Sequence, residues 1–397
     1  MLWKCQAVLD QRKEFVRLAR QGGISIQELC RRFGISRDTG HRLLKRYEES
    51  GEAGLEDRSR RPSTSPRRTD PLIEEKVLEV RDRHPAWGGR KIARRLTDMG
   101  LTDVPSPSTI NEILRRNGRI NPVEARKHQK FIRFQYENPN DLWQMDFKGH
   151  FPMAAGRCHP LTVLDDHSRY ALGLRACENE KKETVQDQLV SIFQRYGLPA
   201  RILADNGSPW GCCGNPLETY TSLEVWLMLL GVRLIHGRPL HPQTQGKDER
   251  FHRTLKIELL QSRRFDSIQE CQKAFDGWLH VYNDERPHEA LGLSTPSSRY
   301  RASLKSFPEA IPLPEYYESD VVRRVKKDGC ICFKGNILKI SQAFAGYNVA
   351  FRPTQTEGVW DVYFAGIAVA YADLRDSDPI VQSVRHVSEQ VSDMSPV

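Results

Sequence analysis

The sequence predicts a multidomain α+β protein: N-terminal helix-turn-helix units, a mixed α/β core and a small C-terminal β-barrel. Three observations carry this. Through Ile120, apolar residues recur at helical spacing between glycine turns and serine caps. From Leu142 the pattern changes to short strands, which then alternate with helices as in a mixed α/β layer. From Val321, short β-rich runs follow one another across glycine turns, as in a small barrel.

Composition narrows the class. A chain of 397 residues has room for about two to four domains. Lys and Arg number 60 against 51 Asp and Glu, and this +9 balance suits a polyanionic partner. The nine cysteines are scattered, with no CxxC and no Cys/His ligand spacing, which reads as reduced thiols. No window approaches about 18 uninterrupted apolar residues, and Met-Leu-Trp-Lys-Cys-Gln is no signal peptide. The expectation is a cytoplasmic protein with no membrane partner.

The first unit reads as three helices between Asp10 and Glu49. Phe15, Leu18 and Ala19 mark the first, which Gly22-Gly23 ends. Ser25 caps the second, with Glu28 three residues on as a capping box; Gly34 turns the chain; Ser36 caps the third. Thr39, Leu43, Leu44 and Tyr47 should point inward, leaving Arg37, His41, Arg42, Lys45 and Arg46 as an exposed basic face. Helix, glycine turn, helix is the helix-turn-helix pattern, whose second helix enters the major groove.

Residues 58–68 hold five Arg, two Pro and no acid. An arm containing Arg58, Arg60 and Arg61 can lie along phosphates or stay a solvated linker. A second helical unit follows, with stripes at Ile73, Val77 and Val80, at Ile92 and Leu96, and at Ile110, Ile113 and Leu114. Ser106-Pro107 starts its last helix, and Arg115, Arg116 and Arg119 close it. It is either a second DNA reader or a spacer. Arg126, Lys127, Lys130 and Arg133 continue the basic path.

In the core, strands are expected at 143–147, 160–165 and 170–175, then a helix ending at Gly197, a strand running into Asp205-Asn-Gly, a helix over 223–230 and a strand over 232–236. Asp146 sits inside an otherwise apolar strand and Asp205 at a strand end. An acid there is costly unless something neutralises it, and a divalent cation does so. Asp165-Asp166 reads as a turn. Cys212-Cys213 lacks partner ligands.

The stretch His241–Lys256 passes from loop to helix, with Phe251, Leu255 and Leu259 forming one stripe. Glu249 stands at the helix mouth, with Arg253 and Lys256 on its flank, while Asp248 lies about 100° away round the helix. Three acids of this kind could hold two ions roughly 3.5–4 Å apart, the geometry of an in-line displacement.

Met145-Asp-Phe, Leu203-Ala-Asp-Asn-Gly207 and Pro242-Gln-Thr-Gln-Gly-Lys-Asp-Glu-Arg-Phe-His-Arg253 resemble, in that order, the three acidic motifs of the DDE superfamily. Tyr282-Asn-Asp-Glu-Arg-Pro-His-Glu-Ala-Leu291 with Thr295-Pro296 resembles the segment after that core. The nearest resemblance is to bacterial insertion-sequence DDE transposases with a retroviral-integrase-type catalytic core. It implies an RNase H-like fold and catalytic, metal-binding acids at Asp146, Asp205 and Glu249. It implies two Mg2+ ions, replaceable by Mn2+, and cleavage at a mobile element's ends followed by transfer of the 3′-hydroxyl ends into target DNA. Double-stranded DNA is then the partner, a dimer or larger holds two ends, and the protein sits with the nucleoid. Arg253 and Lys256 would meet phosphates, and Gln245 lies in a loop suited to approach DNA. The interval from Asp205 to Glu249 is 249 − 205 = 44, wider than the family's usual one, with the surplus around Trp210–Thr221.

Beyond the proline-rich 308–314, strands are expected at Cys330-Ile-Cys-Phe, Ile337-Leu-Lys-Ile, Tyr347-Asn-Val-Ala-Phe, Trp360-Asp-Val-Tyr-Phe and Ile367-Ala-Val-Ala-Tyr. The resemblance implies an SH3-like domain here. Arg323, Arg324, Lys326 and Lys327 suit either DNA contact or a charged edge strand. The expected divisions are a helix-turn-helix domain at 1–55, a basic linker at 56–70, a second such domain at 71–121 and a second linker at 122–139. The catalytic core follows at 140–300, a linker at 301–318, the barrel at 319–375 and a disordered tail at 376–397. Two rival functions fit the same motifs, a catalytically retired DNA-binding regulator and a purely hydrolytic nuclease of this fold.

Overall fold

The computed structural model describes residues 8–57, 69–120, 135–211, 220–236, 246–375 and 380–383. The chain forms two compact units, Met1–Arg68 and Thr69–Val397. The first holds α1 (Val8–Gln21), α2 (Ile26–Arg32) and α3 (Arg37–Ser50). Ser25 and Ser36 accept the backbone N–H of Glu28 and Thr39 at 3.3 and 3.1 Å, so both caps form. The expected capping box is only half made, because the Glu28 carboxylate pairs with Arg31 and Arg32. Phe15, Leu29, Cys30 and Leu43 form the core. A Cβ at Gly40 would lie 2.4 Å from Cys30 Sγ, so glycine is what lets α3 seat on α2.

The second unit begins with α4 (Pro71–Arg83), α5 (Gly89–Asp98) and α6 (Pro107–Arg116), capped by Asp70 and Ser106. Trp87 is fully buried among Val77, Ile92 and Leu114, so the break between the first two helices carries their largest core residue. Arg95 reaches Glu285 at 2.8 Å, tying this bundle to the next domain.

The central sheet has the order β2-β3-β1-β5-β6, with β4 on β3. Its strands are β1 (Trp143–Phe147), β2 (Phe151–Pro152), β3 (Arg157–Asp165), β4 (Ala171–Cys177), β5 (Arg201–Ala204) and β6 (Arg233–His236). The first four are antiparallel; β5 and β6 run parallel to β1. Both faces are covered. Trp143 and Met145 pack with α7 (Lys182–Tyr196) and α8 (Ser222–Leu229). Leu164, Ala171 and Leu174 pack with Phe251 and Leu255 of α9 (Gly246–Leu255) and with Phe275 and Trp278 of α10 (Ile268–His280). Side chains alternate along a strand, so Gln144 and Asp146 turn toward the α9 side.

The last domain has β7 (Val321–Arg324), β8 (Cys330–Phe333), β9 (Asn336–Lys339), β10 (Asn348–Pro353), β11 (Val359–Phe364), β12 (Ile367–Asp373) and β13 (Ile380–Ser383). Five make a sheet ordered β13-β12-β11-β10-β7, with β8 and β9 as a separate hairpin. Within the tail expected to be disordered, 380–383 instead pairs with β12 from Ala370 to Asp373. That edge offers free backbone groups which the tail satisfies. Val225, Met228 and Leu229 of α8 join this domain's core, and Tyr220 donates to the carbonyl of Val369 at 2.6 Å. Thus α8 is buried from two sides, which accounts for its apolar residues all round. No helix among the described residues is long and apolar enough to cross a membrane.

Phe251, 1% exposed, is the wedge between α9 and α10. Phe251→Ala should cost about 3–5 kcal/mol of stability in urea unfolding, from lost burial plus the cavity left. A loss under about 1 kcal/mol would mean that α9 is held mainly by other contacts.

Candidate active site

The site is built where β1 and β5 run side by side. Trp143 is level with Ile202 and Gln144 with Leu203. Continued by two residues, this parallel register sets Asp146 beside Asp205, the first residue past β5. The Asp146 carboxyl feels that of Asp205. Asp146 is pushed up to about 7, first by burial and then by Asp205, with a further push from Glu180. Asp205 is raised by burial and by Glu180, although its Oδ1 accepts the Gly207 N–H at 3.0 Å. Its own carbonyl accepts from His236 Nδ1 at 2.7 Å, which fastens the end of β5 to β6.

Helix α9 packs across β1. Its inward residues are Asp248, Phe251, His252 and Leu255, the i, i+3, i+4, i+7 face of a helix. His252 Nε2 donates to Thr162 Oγ1 at 2.8 Å, and that hydroxyl donates to the carbonyl of Asp146 at 2.9 Å. Burial pulls His252 down to about 3, so the ring is neutral. Its unprotonated Nδ1 then faces Asp146 Oδ2 at 3.9 Å. Asp248 is 1% exposed, and neither carboxyl oxygen has a hydrogen-bond partner among the described residues. Burial, then Asp146 and Asp166, push it well above the usual carboxylate range.

The helix is pinned one residue earlier. Lys247 Nζ bonds Asp166 Oδ1 and, at 3.3 Å, the Asp166 carbonyl. Asp166 is fully buried and also accepts Gln144 Nε2 at 2.7 Å and the Tyr136 N–H at 2.9 Å. Burial lowers Lys247 to about 8 against the pull of that carboxylate. The turn expected at Asp165-Asp166 is real, since Asp165 takes the N–H and hydroxyl of Ser168. Its second acid, however, is the anchor of α9.

The expected acids are therefore only partly gathered. Asp146 and Asp205 adjoin. Glu249 lies in the first turn of α9, exposed, with Arg253 and Lys256 exposed on the same flank. Among the described residues no three His, Cys, Asp or Glu side chains stand close enough to hold one ion together. On α3, Arg37, His41, Arg42 and Lys45 are exposed as expected, with Arg42 3.3 Å from Asp38 and Lys45 4.0 Å from Glu49. Arg46 corrects the expected face: it is half-buried and folds back to donate to the Glu56 carbonyl. Arg115 is exposed and paired with Glu112, whereas Arg116 is held by Glu74. Arg58, Arg60, Arg61 and Gln245 lie outside the described residues. Sequence reasoning missed His252 and Lys247, and it set Asp248 aside as lying round the helix from Glu249. The signal was present, because Asp248 and His252 extend the Phe251/Leu255 stripe at helical spacing.

Comparison with known families agrees with this architecture. Residues 137–242 and 230–296 match the integrase core domain. Residues 11–63 match a helix-turn-helix domain and 39–114 a homeodomain-like domain. Residues 320–379 match the C-terminal domain of IS481 family transposases. An insertion element IS476 protein of Xanthomonas euvesicatoria is 25% identical over 70% of this chain and 78% of its own length. The transposase InsD of insertion element IS2 in Escherichia coli is 24% identical over 72% of this chain and 93% of its own. Among solved structures, the simian T-cell lymphotropic virus intasome, in complex with a PP2A regulatory subunit, aligns at 16% identity. It covers 78% of this chain and 97% of that one, with a TM-score of 0.36. The fold and the family matches define a class, proteins with an integrase catalytic core behind helix-turn-helix units. Within it, the C-terminal match is to IS481 family transposases, and the relatives above are insertion-element proteins.

Two outcomes follow from the site's electrostatics. The Asp146 acid is raised above its unfolded value of about 3.9. The stability it contributes is therefore full below about pH 4 and lost as pH rises through about 7. Asp146→Asn should flatten the fall of the urea midpoint across that window, though Asp205 and Asp248 keep part of it. An unchanged slope would mean Asp146 is already ionised in the fold. Lys247→Met should cost about 3–5 kcal/mol by stranding the buried Asp166 carboxylate. The double variant with Asp166→Leu should recover much of that loss; no recovery would remove the ion pair as the cause.

Proposed function

We propose that the chain is a DDE transposase that cleaves DNA at the ends of a mobile element and transfers the resulting 3′-hydroxyls into target DNA. The observation that carries this is the Asp146/Asp205 pair, two carboxyls set side by side by the β1–β5 register and held against ionisation by burial and by each other's nearness. Such a pair suits a hard divalent cation, since its donors are carboxylate oxygens. Asp146, Asp205 and Glu249 would hold Mg2+, as two ions, or Mn2+ in its place. Bound there, the metal would lower the pKa of the attacking hydroxyl and offset the charge that develops on the phosphodiester.

The remaining work belongs to the chain. Thr162 and His252 fix the backbone and one flank of Asp146, so its carboxyl has little freedom to turn away. Lys247 sets the start of α9 and with it the reach of Glu249. Arg253 and Lys256, exposed beside Glu249, are placed to take DNA phosphates. Arg37, His41, Arg42 and Lys45 face the element end from α3, with Arg58, Arg60, Arg61, Arg115 and Gln245 as further DNA contacts. Two ends must be held together, so the working assembly is a dimer or larger, at the nucleoid in the cytoplasm.

The test is nicking of end-sequence DNA with Mg2+ or Mn2+, followed by joining of a pre-cut end to a supercoiled target. Asp146→Asn, Asp205→Asn and Glu249→Gln should each reduce the rate about 10³-fold or more, the loss of several kcal/mol of charge stabilisation, while leaving DNA binding intact. If Asp205→Ala matches wild type, the enzymatic reading fails. If nicking occurs without joining, the protein is a nuclease of this fold.

A further inference from the structure

A second charged feature lies at the opposite end of the same strands. Arg201 opens β5 and Arg233 opens β6, and the two are directly level in the parallel register. Side chains so placed lie on one face of the sheet, about 5 Å apart at their bases. Like charges set opposite each other are destabilising unless something lies between them. Neither guanidinium pairs with a carboxylate among the described residues; Arg201 instead stacks over Tyr136 at 5.8 Å. Arg301 enters the same groove, a hollow of about 820 Å³, and it too has no carboxylate partner among the described residues. Other arginines of the chain, such as Arg95, Arg116, Arg286 and Arg352, are each matched with an acid. The groove's one acidic lining residue, Asp141, is turned to the Asn138 N–H and side-chain amide at 3.2 Å.

The groove is also a built feature. Asn140 Nδ2 donates to the Arg301 carbonyl at 2.8 Å, and Leu198 N–H donates to the Lys305 carbonyl at 2.7 Å. Lys305 Nζ is fixed on the carbonyls of Leu230 and Gly231 at 2.8 and 3.1 Å. Segment 301–305 is thereby sewn to the ends of α7 and α8, and the backbone of Arg301 is held at the groove that Arg201 and Arg233 also line.

We infer that this groove binds the phosphate backbone of duplex DNA, with Arg201, Arg233 and Arg301 as its contacts. Planar guanidinium forks match phosphate oxygens in pairs, and a phosphate between Arg201 and Arg233 turns their repulsion into attraction. Asp205 directly follows the strand that Arg201 begins, so acid site and groove lie about 13 Å apart along the direction of β5. DNA in the groove is therefore a stretch other than the phosphodiester at the acids.

The experiment is metal-free binding by the full chain in chelator, so it stands apart from the cleavage assay. Fluorescence anisotropy with an arbitrary duplex of about 30 base pairs is followed from about 50 to 300 mM salt. Arg201→Gln/Arg233→Gln/Arg301→Gln should reduce the slope of log Kobs on log salt by about 2 to 3, near 0.9 per lost phosphate contact. Arg233→Gln alone, at an exposed strand end, should reduce it by about 1 and should not lower the melting temperature, because it relieves a like-charge pair. An unchanged slope in both variants overturns the proposal. So does an unchanged slope in DNA with lost binding to a polyglutamate peptide, which would make the groove a protein-docking site.

Discussion

The parallel hydrogen bonding of β1 to β5 is the constraint on which the site depends. It sets two carboxyls level at neighbouring strand ends, where charge repulsion and loss of water both oppose ionisation. A pair of this kind survives only on a scaffold that cannot relax. Trp143 and Met145 on one face of β1, and α9 across the other, supply that rigidity. The next ladder, β5 to β6, places Arg201 level with Arg233 at the far end of β5. The two ladders of β5 thus create a like-charge pair at each pole, acidic at one and basic at the other. Both are arrangements that a counter-charge would complete.

Helix α9 shows how a polar site is held by an apolar element. Phe251 and Leu255 provide the burial, while Asp248 and His252 occupy the same face and bring titratable groups under the helix. Lys247 on Asp166 then fixes the helix start at a buried, hydrogen-bonded carboxylate. Breaking such a pair leaves a stranded charge, so the contact specifies position more than it adds stability. Glu249, the one acid of the three on a helix, takes its place from these neighbours; it lies exposed in the first turn of α9.

The two domains on either side of α8 share it. Leu223 and Leu227 serve the central sheet, and Val225, Met228 and Leu229 serve the C-terminal domain. A helix covered on both sides couples the two cores, so the C-terminal sheet is continuous in packing with the layer that carries Asp205. The groove at Arg301 lies along the same seam, with Ala365 and Ile367 of the last domain among its walls.

Local pattern alone determined much of this protein. Serine caps, glycine turns and the change from helical to strand periodicity gave the order of elements, and β1 fell at 143–147 as read. Asp146 and Asp205 were legible because an acid in or at the end of an apolar strand is conspicuous. What tertiary structure decided is what lies next to what. The buried role of Asp166, the neutral His252 beside Asp146, Arg46 folded back on Glu56 and the strand at 380–383 all arise from contacts between segments distant along the chain. Spacing reports which side of a helix or strand a residue takes, but only packing decides what fills the space it faces.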